Sequence, residues 1–222
     1  MKLLMHVCCA PCSVYCIEEL RNEGIEPTLY WYNPNIHPYM EYKARRDCLK
    51  EYANIINVKA IFEEEYGLDS FCKNVISNLN SRCVNYCYPV RLKKTFEYAK
   101  KHGYDTVTTT LLYSIYQQHD YIKQLMEQYS KEYKIDFLYR DFRIGFWKGH
   151  QKAYDLGLYM QKYCGCIFSS EEKIISTNTT NKKPKLPKGF EFLPVKRNVN
   201  IKKEKDNKEQ YMDLLLEADP SE

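Results

Sequence analysis

Short apolar runs and helical patterns alternate through the first 170 residues of this 222-residue chain. The expected strands are 3–7, 28–32, 58–62, 105–112 and 135–139, and the expected helices are 13–22, 39–56, 68–79, 84–102 and 120–133. Strand–helix alternation in this order is typical of βαβ units. It predicts an α/β fold in which helices cover both faces of a mostly parallel sheet.

The alternation weakens after Ser170, which predicts a single domain of residues 1–170 followed by an extension of residues 171–222. The extension is basic, because ten Lys or Arg and three Asp or Glu residues lie between Lys182 and Lys208. A Lys-rich, proline-containing tail of this kind is expected to be a solvated linker, and binding to nucleic-acid phosphates is the alternative. A short apolar stripe in 209–218 predicts a terminal helix.

The cysteine content excludes a small disulfide-stapled scaffold, because ten cysteines in 222 residues fall below the roughly 8–10% typical of that class. No apolar stretch reaches the ~18 residues of a membrane span, and the opening residues are too short and interrupted for a signal-peptide core. We therefore expect a cytoplasmic protein with no membrane partner. In a reducing compartment, clustered cysteines bind metals or carry out redox chemistry more often than they form structural disulfides.

Seven of the cysteines form three groups, and the other three, Cys16, Cys48 and Cys72, are expected in the core. The groups are Cys8, Cys9 and Cys12 after the first strand, Cys83 and Cys87 at the start of a helix, and Cys164 and Cys166. Neighbouring side chains of an extended segment point to opposite sides, so Cys8 and Cys9 are better explained as loop ligands than as core. Four thiolates can hold one zinc ion or a [4Fe–4S] cluster.

Cys164 and Cys166 have two chemically reasonable roles. They can cycle between a dithiol and a disulfide and so deliver two electrons. They can also bind a second metal together with Cys12, because soft thiolates suit iron or zinc. Gly165, which separates them, permits a sharp bend of the backbone near the site.

Six motifs follow one another between residues 3 and 170. They are His6-Val7-Cys8-Cys9-Ala10-Pro11-Cys12-Ser13; Tyr32-Asn33-Pro34-Asn35-Ile36-His37-Pro38-Tyr39; Arg82-Cys83 with Cys87-Tyr88; Thr109-Thr110-Leu111-Leu112; Asp141-Phe142-Arg143; and Tyr159-Met160-Gln161-Lys162-Tyr163-Cys164-Gly165-Cys166. In this order they resemble the QueH family, whose members are cobalamin-independent epoxyqueuosine reductases of tRNA queuosine biosynthesis.

The resemblance implies a nucleotide-hydrolase-like (HUP-type) α/β fold and an oxidoreductase that uses a [4Fe–4S] cluster. The implied substrate is tRNA that carries epoxyqueuosine in its anticodon loop, reduced at the expense of an unidentified electron donor. The implied cluster ligands are Cys8, Cys9, Cys83 and Cys87, with Cys12 as a candidate metal ligand. Cys164 and Cys166 are implied to form a redox-active disulfide pair or to bind an additional iron ion. The family usually has two residues between the cysteines of the third motif, whereas this chain has three.

Removal of an epoxide oxygen as water requires two electrons and two protons. His37 and Asp141 are therefore expected as catalytic proton donors, with Tyr39 as a third candidate. Five basic residues are expected to meet tRNA phosphates while tyrosines stack on unpaired bases; they are Arg45, Arg46, Arg91, Lys93 and Lys94.

Two other functions compete with this interpretation. An ATP-using enzyme on the same fold would need a glycine-rich phosphate loop after the first strand, and the segment from Cys8 to Cys12 has no glycine. The alternative function is a structural zinc module that binds RNA or protein, which predicts stoichiometric zinc and no iron.

Overall fold

A computed structural model of the protein describes residues 1–179, with side chains through residue 177. Five strands form one sheet: β1 (Leu3–His6), β2 (Thr28–Trp31), β3 (Ala60–Phe62), β4 (Thr106–Thr109) and β5 (Asp136–Phe137). Their order across the sheet is β3-β2-β1-β4-β5, and each neighbouring pair is parallel. The predicted α/β fold with a parallel sheet is confirmed.

Seven α-helices accompany the sheet in the described part of the chain. They are α1 (Ala10–Asn22), α2 (Tyr39–Ile55), α3 (Leu68–Val75), α4 (Tyr88–His102), α5 (His119–Tyr133), α6 (Phe146–Asp155) and α7 (Ile167–Thr179). Local signals explain several boundaries: Pro89 occupies the first turn of α4, and Gly103 ends that helix with a φ of +67°. Within residues 1–179, every helix is too short or too polar to span a bilayer.

Several elements differ from the expectations. The strand expected over 105–112 stops at Thr109, whose hydroxyl accepts a hydrogen bond from the Leu111 N–H and opens a 3₁₀ turn, Thr110–Leu112. The helix expected over 68–79 ends at Val75. The helix expected over 84–102 begins with a π-helical turn, Cys83–Cys87, ahead of α4.

Helices α6 and α7 were not expected from the sequence. Helix α7 begins before residue 170 and runs past it, across the predicted end of the domain. The basic stretch between residues 182 and 208 and the terminal helix predicted for 209–218 lie outside the described residues.

Strands β1 and β4 lie side by side at the centre of the sheet, and all their residues are buried. From β1 the chain continues to β2 on one side, whereas β4 is followed by β5 on the other. Such a reversal of strand order opens a crevice beyond the carboxyl ends of the strands, where ligands of α/β proteins bind. The first cysteine group follows β1, so the fold places it in this crevice.

Helix α6 packs closely against α1 because two glycines face Tyr15. A Cβ atom at Gly145 would lie 2.0 Å from the Tyr15 ring, and one at Gly149 would lie 2.7 Å from the Tyr15 Cβ. No larger side chain fits at these distances. The close approach brings the first residues of α6 to the crevice.

Candidate functional site

The loop after β1 is tied to the end of β4 at the crevice. The Cys8 backbone N–H donates to Thr110 Oγ1 at 3.2 Å, and the Thr110 hydroxyl lies 3.5 Å from Cys8 Sγ. Two residues before Cys8, His6 Nδ1 lies 3.0 Å from Thr109 Oγ1. These bonds connect the ends of the two central strands and fix the first thiol of the site.

Three thiols meet at the start of α1. The Sγ atoms of Cys8, Cys9 and Cys12 all lie within 4.8 Å of one another. Hydrogen bonds from the thiols of Cys12 and Cys9 hold the pKa of Cys8 well below its usual range. The amino end of α1, with its positive partial charge, adjoins this group and also favours an anionic ligand set. Cys8, Cys9 and Cys12 can therefore bind a metal ion.

A second pair of thiols lies in the π-helical turn. The Cys87 thiol donates a hydrogen bond to Cys83, which lowers the pKa of Cys83 to about 6. The guanidinium of Arg91 lowers it further. Arg91 is 4% exposed, donates to the Cys87 carbonyl at 2.6 Å, and pairs with no carboxylate among residues 1–177. Its buried charge is left for anionic sulfur to balance.

The segment Tyr163–Cys166 is held by a buried ion pair in α2. Arg45 pairs with Glu41 at 2.6 Å and donates to the carbonyls of Tyr163 and Cys164 at 2.9 and 3.0 Å. Gly165 adopts a φ of +149°, and a Cβ there would lie 3.3 Å from Arg45 Nη1. Glycine therefore satisfies both the backbone conformation and the close approach of the guanidinium.

Two neighbouring cavities connect these elements. The first, of about 480 Å³, includes Cys8, Cys12, Gln161 and Cys164 in its wall. The second, of about 180 Å³, is lined by Cys83, Cys87, Cys164 and Cys166. Cys164 contributes to both walls, so it stands between the two groups of thiols. A further cavity of about 540 Å³, near Met1 and Asp136, has no cysteine in its wall.

Comparison with known proteins assigns the chain to a family. Residues 3–172 match the family described as epoxyqueuosine reductase QueH. The chain belongs to the QueH family.

Named relatives agree with this family over most of the chain. The QueH epoxyqueuosine reductase of Dehalococcoides mccartyi is 35% identical over 80% of this chain and 97% of its own length. That of Haemophilus influenzae is 33% identical over 76% of this chain and 71% of its own length. That of Thermotoga maritima is 30% identical over 77% and 91%, respectively.

The QueH resemblance noted in the sequence is thus confirmed, and the structure shows how its cysteines are grouped. Cys8 and Cys9 form a compact group with Cys12, which the resemblance gave only as a candidate ligand. Cys83 and Cys87 lie in the wall of the second cavity, together with Cys164 and Cys166. All ten cysteines of the chain are free thiols in this structure.

The expected proton donors have other surroundings. The His37 ring is buried against Phe71 and Tyr66, its Nε2 lies 3.1 Å from the Pro34 carbonyl, and burial lowers its pKa to about 4. Asp141 binds Arg143 at 2.6 Å, which holds its pKa below the usual value. Neither residue is part of the two cavity walls.

The backbone of His37 nevertheless supports the site. Its N–H donates to the Gly165 carbonyl at 2.7 Å, and its carbonyl accepts from the Tyr163 hydroxyl at 2.7 Å. Tyr39, the third candidate donor, is half exposed and packs against Tyr66. The second motif, which contains His37, therefore holds the segment with the last cysteines through main-chain contacts.

Arg45 and Arg91 are corrected by the structure. Both were expected to contact tRNA phosphates, but their side chains are buried, at 2% and 4% exposure. Each guanidinium binds backbone carbonyls of a cysteine-bearing segment instead. The expectation counted basic residues without regard to the helix face on which they lie, and both lie on buried faces of α2 and α4.

Two carboxamides in the first cavity were missed by sequence reasoning. Gln161 Nε2 lies 3.4 Å from Cys12 Sγ, and Gln117 Nε2 lies 3.5 Å from Cys164 Sγ. Gln117 Oε1 in turn accepts from the Tyr88 hydroxyl at 2.8 Å. Gln161 is itself part of the last motif and could have been noticed there, whereas nothing in the sequence around Gln117 indicates its contact with a thiol.

The donor set fits an iron–sulfur centre. Seven free thiols, the soft ligands that such clusters take, line the two adjoining cavities or lie next to their walls. Cys8 and Cys83 are both biased toward the thiolate form in which cysteine binds metals. The unpaired charge of Arg91 and the amino end of α1 complement the negative charge of a thiolate-bound cluster.

Proposed function

We propose that this protein reduces epoxyqueuosine to queuosine in the anticodon loop of tRNA, as the last step of queuosine biosynthesis. The observation that carries the proposal is the family match over residues 3–172, which includes the complete lining of the second cavity. The reaction adds two electrons and two protons. The epoxide oxygen leaves as water, and its two carbons are left joined by a double bond.

A [4Fe–4S] cluster is the proposed cofactor. Cys8, Cys9, Cys83 and Cys87 would hold it, with Cys12 as an adjacent metal ligand. When bound, such a cluster supplies electrons one at a time at a potential set by its surroundings. The hydrogen-bonded Cys8 and Cys83 thiolates and the buried Arg91 support this assignment.

Cys164 and Cys166 are the proposed second redox element. As a dithiol they release two electrons and two protons on forming a disulfide, which matches the two-electron demand of the reaction. Binding of an additional iron ion together with Cys12 is the other possibility that their chemistry allows. The position of Cys164 in both cavity walls supports a role between the cluster ligands and the substrate.

The wall of the first cavity contains side chains that can donate protons to the substrate and orient the thiols. His150 and Lys162 line this cavity, so we propose them as proton donors in preference to His37 and Asp141, which lie outside both cavity walls. Gln117 and Gln161 orient the thiols of Cys164 and Cys12. The wall of the first cavity therefore contains both the proposed proton donors and thiols.

The proposed partners are tRNA and an electron donor. A tRNA substrate is consistent with a cytoplasmic location.

Metal analysis of anaerobically purified protein tests the function. We expect a brown protein with about four irons and four sulfides per chain, or slightly more iron. It should convert epoxyqueuosine in tRNA when supplied with reductant. Stoichiometric zinc without iron or sulfide would support the zinc-module alternative and overturn the reductase.

Cysteine variants test the division of roles. Cys9→Ala should lose the colour of the cluster, because it removes a proposed ligand. Cys164→Ala should keep the colour and lose turnover. Cys72→Ala is the matched control, since Cys72 lies in α3 outside both cavity walls, and it should keep both properties. Equal bleaching of Cys9→Ala and Cys164→Ala would contradict the division.

A further inference from the structure

Four large, exposed apolar side chains lie on two segments beside the first cavity. These residues, which we call the aromatic rim, are Ile115, Tyr116, Ile144 and Trp147, with exposures of 44%, 77%, 85% and 71%. Single exposed apolar residues are common on proteins, but a group of this kind marks an interaction site. The rim comes from two segments that the fold brings together, since the turn Thr110–Leu112 contacts the turn Phe142–Gly145.

The rim continues into the cavity through Phe146. The Phe146 ring lies edge-to-face against Tyr116 at 5.8 Å and against Trp147 at 5.1 Å, measured between ring centroids. It is stacked on His150 at 6.1 Å. Tyr116, Phe146 and His150 line the same cavity as Cys8 and Cys164. One connected set of rings therefore leads from solvent to the thiols.

The charge of this region selects among classes of partner. Arg45, Lys162 and Lys173 line the cavity, and no Asp or Glu among the described residues does. Lys148, which follows Trp147, pairs with Glu18 at 3.9 Å. Arg45 is neutralised by Glu41, so Lys162 and Lys173 supply the positive charge near the rim. A positive, aromatic surface suits a ligand that is both planar and anionic.

We propose that the aromatic rim is the surface that receives unpaired nucleotides of an RNA loop, with Trp147 and Tyr116 stacking on bases that flank the one entering the cavity. Proteins that bind single-stranded RNA combine aromatic stacking platforms with cations that meet the backbone. Lys162 and Lys173 are placed to meet the phosphates. The inference rests on the proposed function, and it deepens it by naming the face that meets the substrate.

The two tryptophans of the chain make the proposal measurable. Trp31 is fully buried in β2, whereas Trp147 is 71% exposed, so an RNA base that stacks on the rim quenches the emission of Trp147 alone. The experiment titrates the full-length protein with an anticodon stem–loop RNA and with the corresponding stem as a duplex without the loop. We expect saturable quenching with the stem–loop and little with the duplex, whose bases are already paired.

Variants of the rim give the decisive comparison. Trp147→Ala should raise the Kd for the stem–loop about tenfold or more, in the range measured for loss of one base–aromatic stack. Trp147→Phe should retain most of the affinity while losing the quenching signal, with binding followed by gel shift. Tyr116→Ala should weaken binding independently. Ile55→Ala is the control, because Ile55 is 75% exposed but ends α2 at the opposite end of the sheet.

The outcomes separate this proposal from the proposed function. Unchanged stem–loop affinity of both Trp147→Ala and Tyr116→Ala overturns the rim as an RNA surface, even if the enzyme turns over. A shift of Trp147→Ala from dimer to monomer in sedimentation, with RNA binding unchanged, assigns the rim to a second copy of the chain and equally overturns it. Quenching by the stem–loop without epoxide reduction by iron-loaded protein supports the rim and counts against the function.

Discussion

Arg45 shows at the scale of one residue how the site is kept in shape. Its guanidinium is buried, so its desolvation must be offset by good geometry. That geometry is present: Glu41 provides the opposite charge, and the carbonyls of Tyr163 and Cys164 accept the remaining N–H groups. Glu41 is itself fixed by the Tyr159 hydroxyl. The residue therefore connects α2 to the segment that carries the last two cysteines.

Arg45→Lys keeps the charge but cannot reach the carboxylate and both carbonyls at once. We expect it to lower the free energy of unfolding by about 2–4 kcal/mol, since hydrogen bonds to a charged group contribute about 1.5–3 kcal/mol each. Urea unfolding of the two proteins measures this. Arg21→Lys is the matched control, because Arg21 makes a similar paired contact with Glu26 at the surface. Arg21→Lys should lower the free energy of unfolding by no more than about 1 kcal/mol. Equal losses of stability in the two variants would contradict the role of Arg45 in holding the segment Tyr163–Cys166.

At the scale of elements, the π-helical turn Cys83–Cys87 explains how the fold accommodates the spacing of these two cysteines. Three residues separate these cysteines, one more than the resemblance to the QueH family implies. A π-helical turn holds one more residue than an α-helical turn and leaves the helix that follows undisturbed. The extra residue is thereby absorbed before α4, and both thiols stay in the wall of one cavity. Spacing alone predicted a shared helix face but not this backbone.

Deletion of the exposed residue Asn85 tests this account. The shortened segment should form an ordinary α-helical turn in which the cysteines, now three apart, still share a face. We expect iron content and thermal stability to be retained. Insertion of one alanine between Cys87 and Tyr88 is the control, since it rotates both thiols by about 100° relative to α4. That insertion should lower the iron content. If the deletion lowered the iron content and the insertion did not, the π-helical turn would not be the place where the chain accommodates its extra residue.

Helix α6 illustrates why some elements escape sequence reasoning. Gly145 and Gly149 weaken its local helical signal, because glycine is a poor helix former. The helix forms because those glycines allow close packing on Tyr15 and Tyr113, which no local pattern reveals. The elements with strong periodicity, such as α2 and α5, were predicted to within a few residues. What the sequence missed is therefore what depends on tertiary contact.

The substitution Gly149→Ala tests helix propensity against close packing, because it favours the first and disturbs the second. Alanine is favoured over glycine by about 1 kcal/mol in a helix. Its Cβ would lie 2.6 Å from the Tyr113 hydroxyl oxygen, however, and overpacking costs about 1–3 kcal/mol. We expect the substitution to destabilise the protein in thermal unfolding and to disturb the cavity wall at Phe146. Gln151→Ala on the exposed side of α6 should change stability by less than about 0.5 kcal/mol. A stabilised Gly149→Ala variant would show that the helices can separate freely.

At the scale of the whole molecule, the sequence shows how the cysteines are grouped along the chain but not how these groups meet in space. The alternating pattern was enough to place Cys8 at the carboxyl edge of a parallel sheet. The grouping of Cys12 with Cys8 and Cys9 depends on the first turn of α1. The choice of His37 and Asp141 as donors followed residue chemistry, whereas their positions depend on how loops pack on the sheet. The sequence shows which residue types are present, but it does not show the distances between segments that are far apart along the chain.

Removal of the metal should also reveal how strongly it stabilises the fold. The proposed cluster ligands come from two segments about 75 residues apart in sequence, after β1 and before α4. A group bound only by the folded chain, at a thousandfold its Kd, adds about 4 kcal/mol to stability.

About 1 kcal/mol moves the unfolding midpoint of a protein of this size by about 2–4 °C, so we expect removal of iron to lower Tm by roughly 8–16 °C. Anaerobic scanning calorimetry before and after treatment with an iron chelator measures the shift. Cys9→Ala should begin near the lower Tm and should hardly respond to the chelator, because it lacks a proposed ligand. An equal response of that variant and the parent would show that the stabilising metal is bound elsewhere than at the thiols of the crevice.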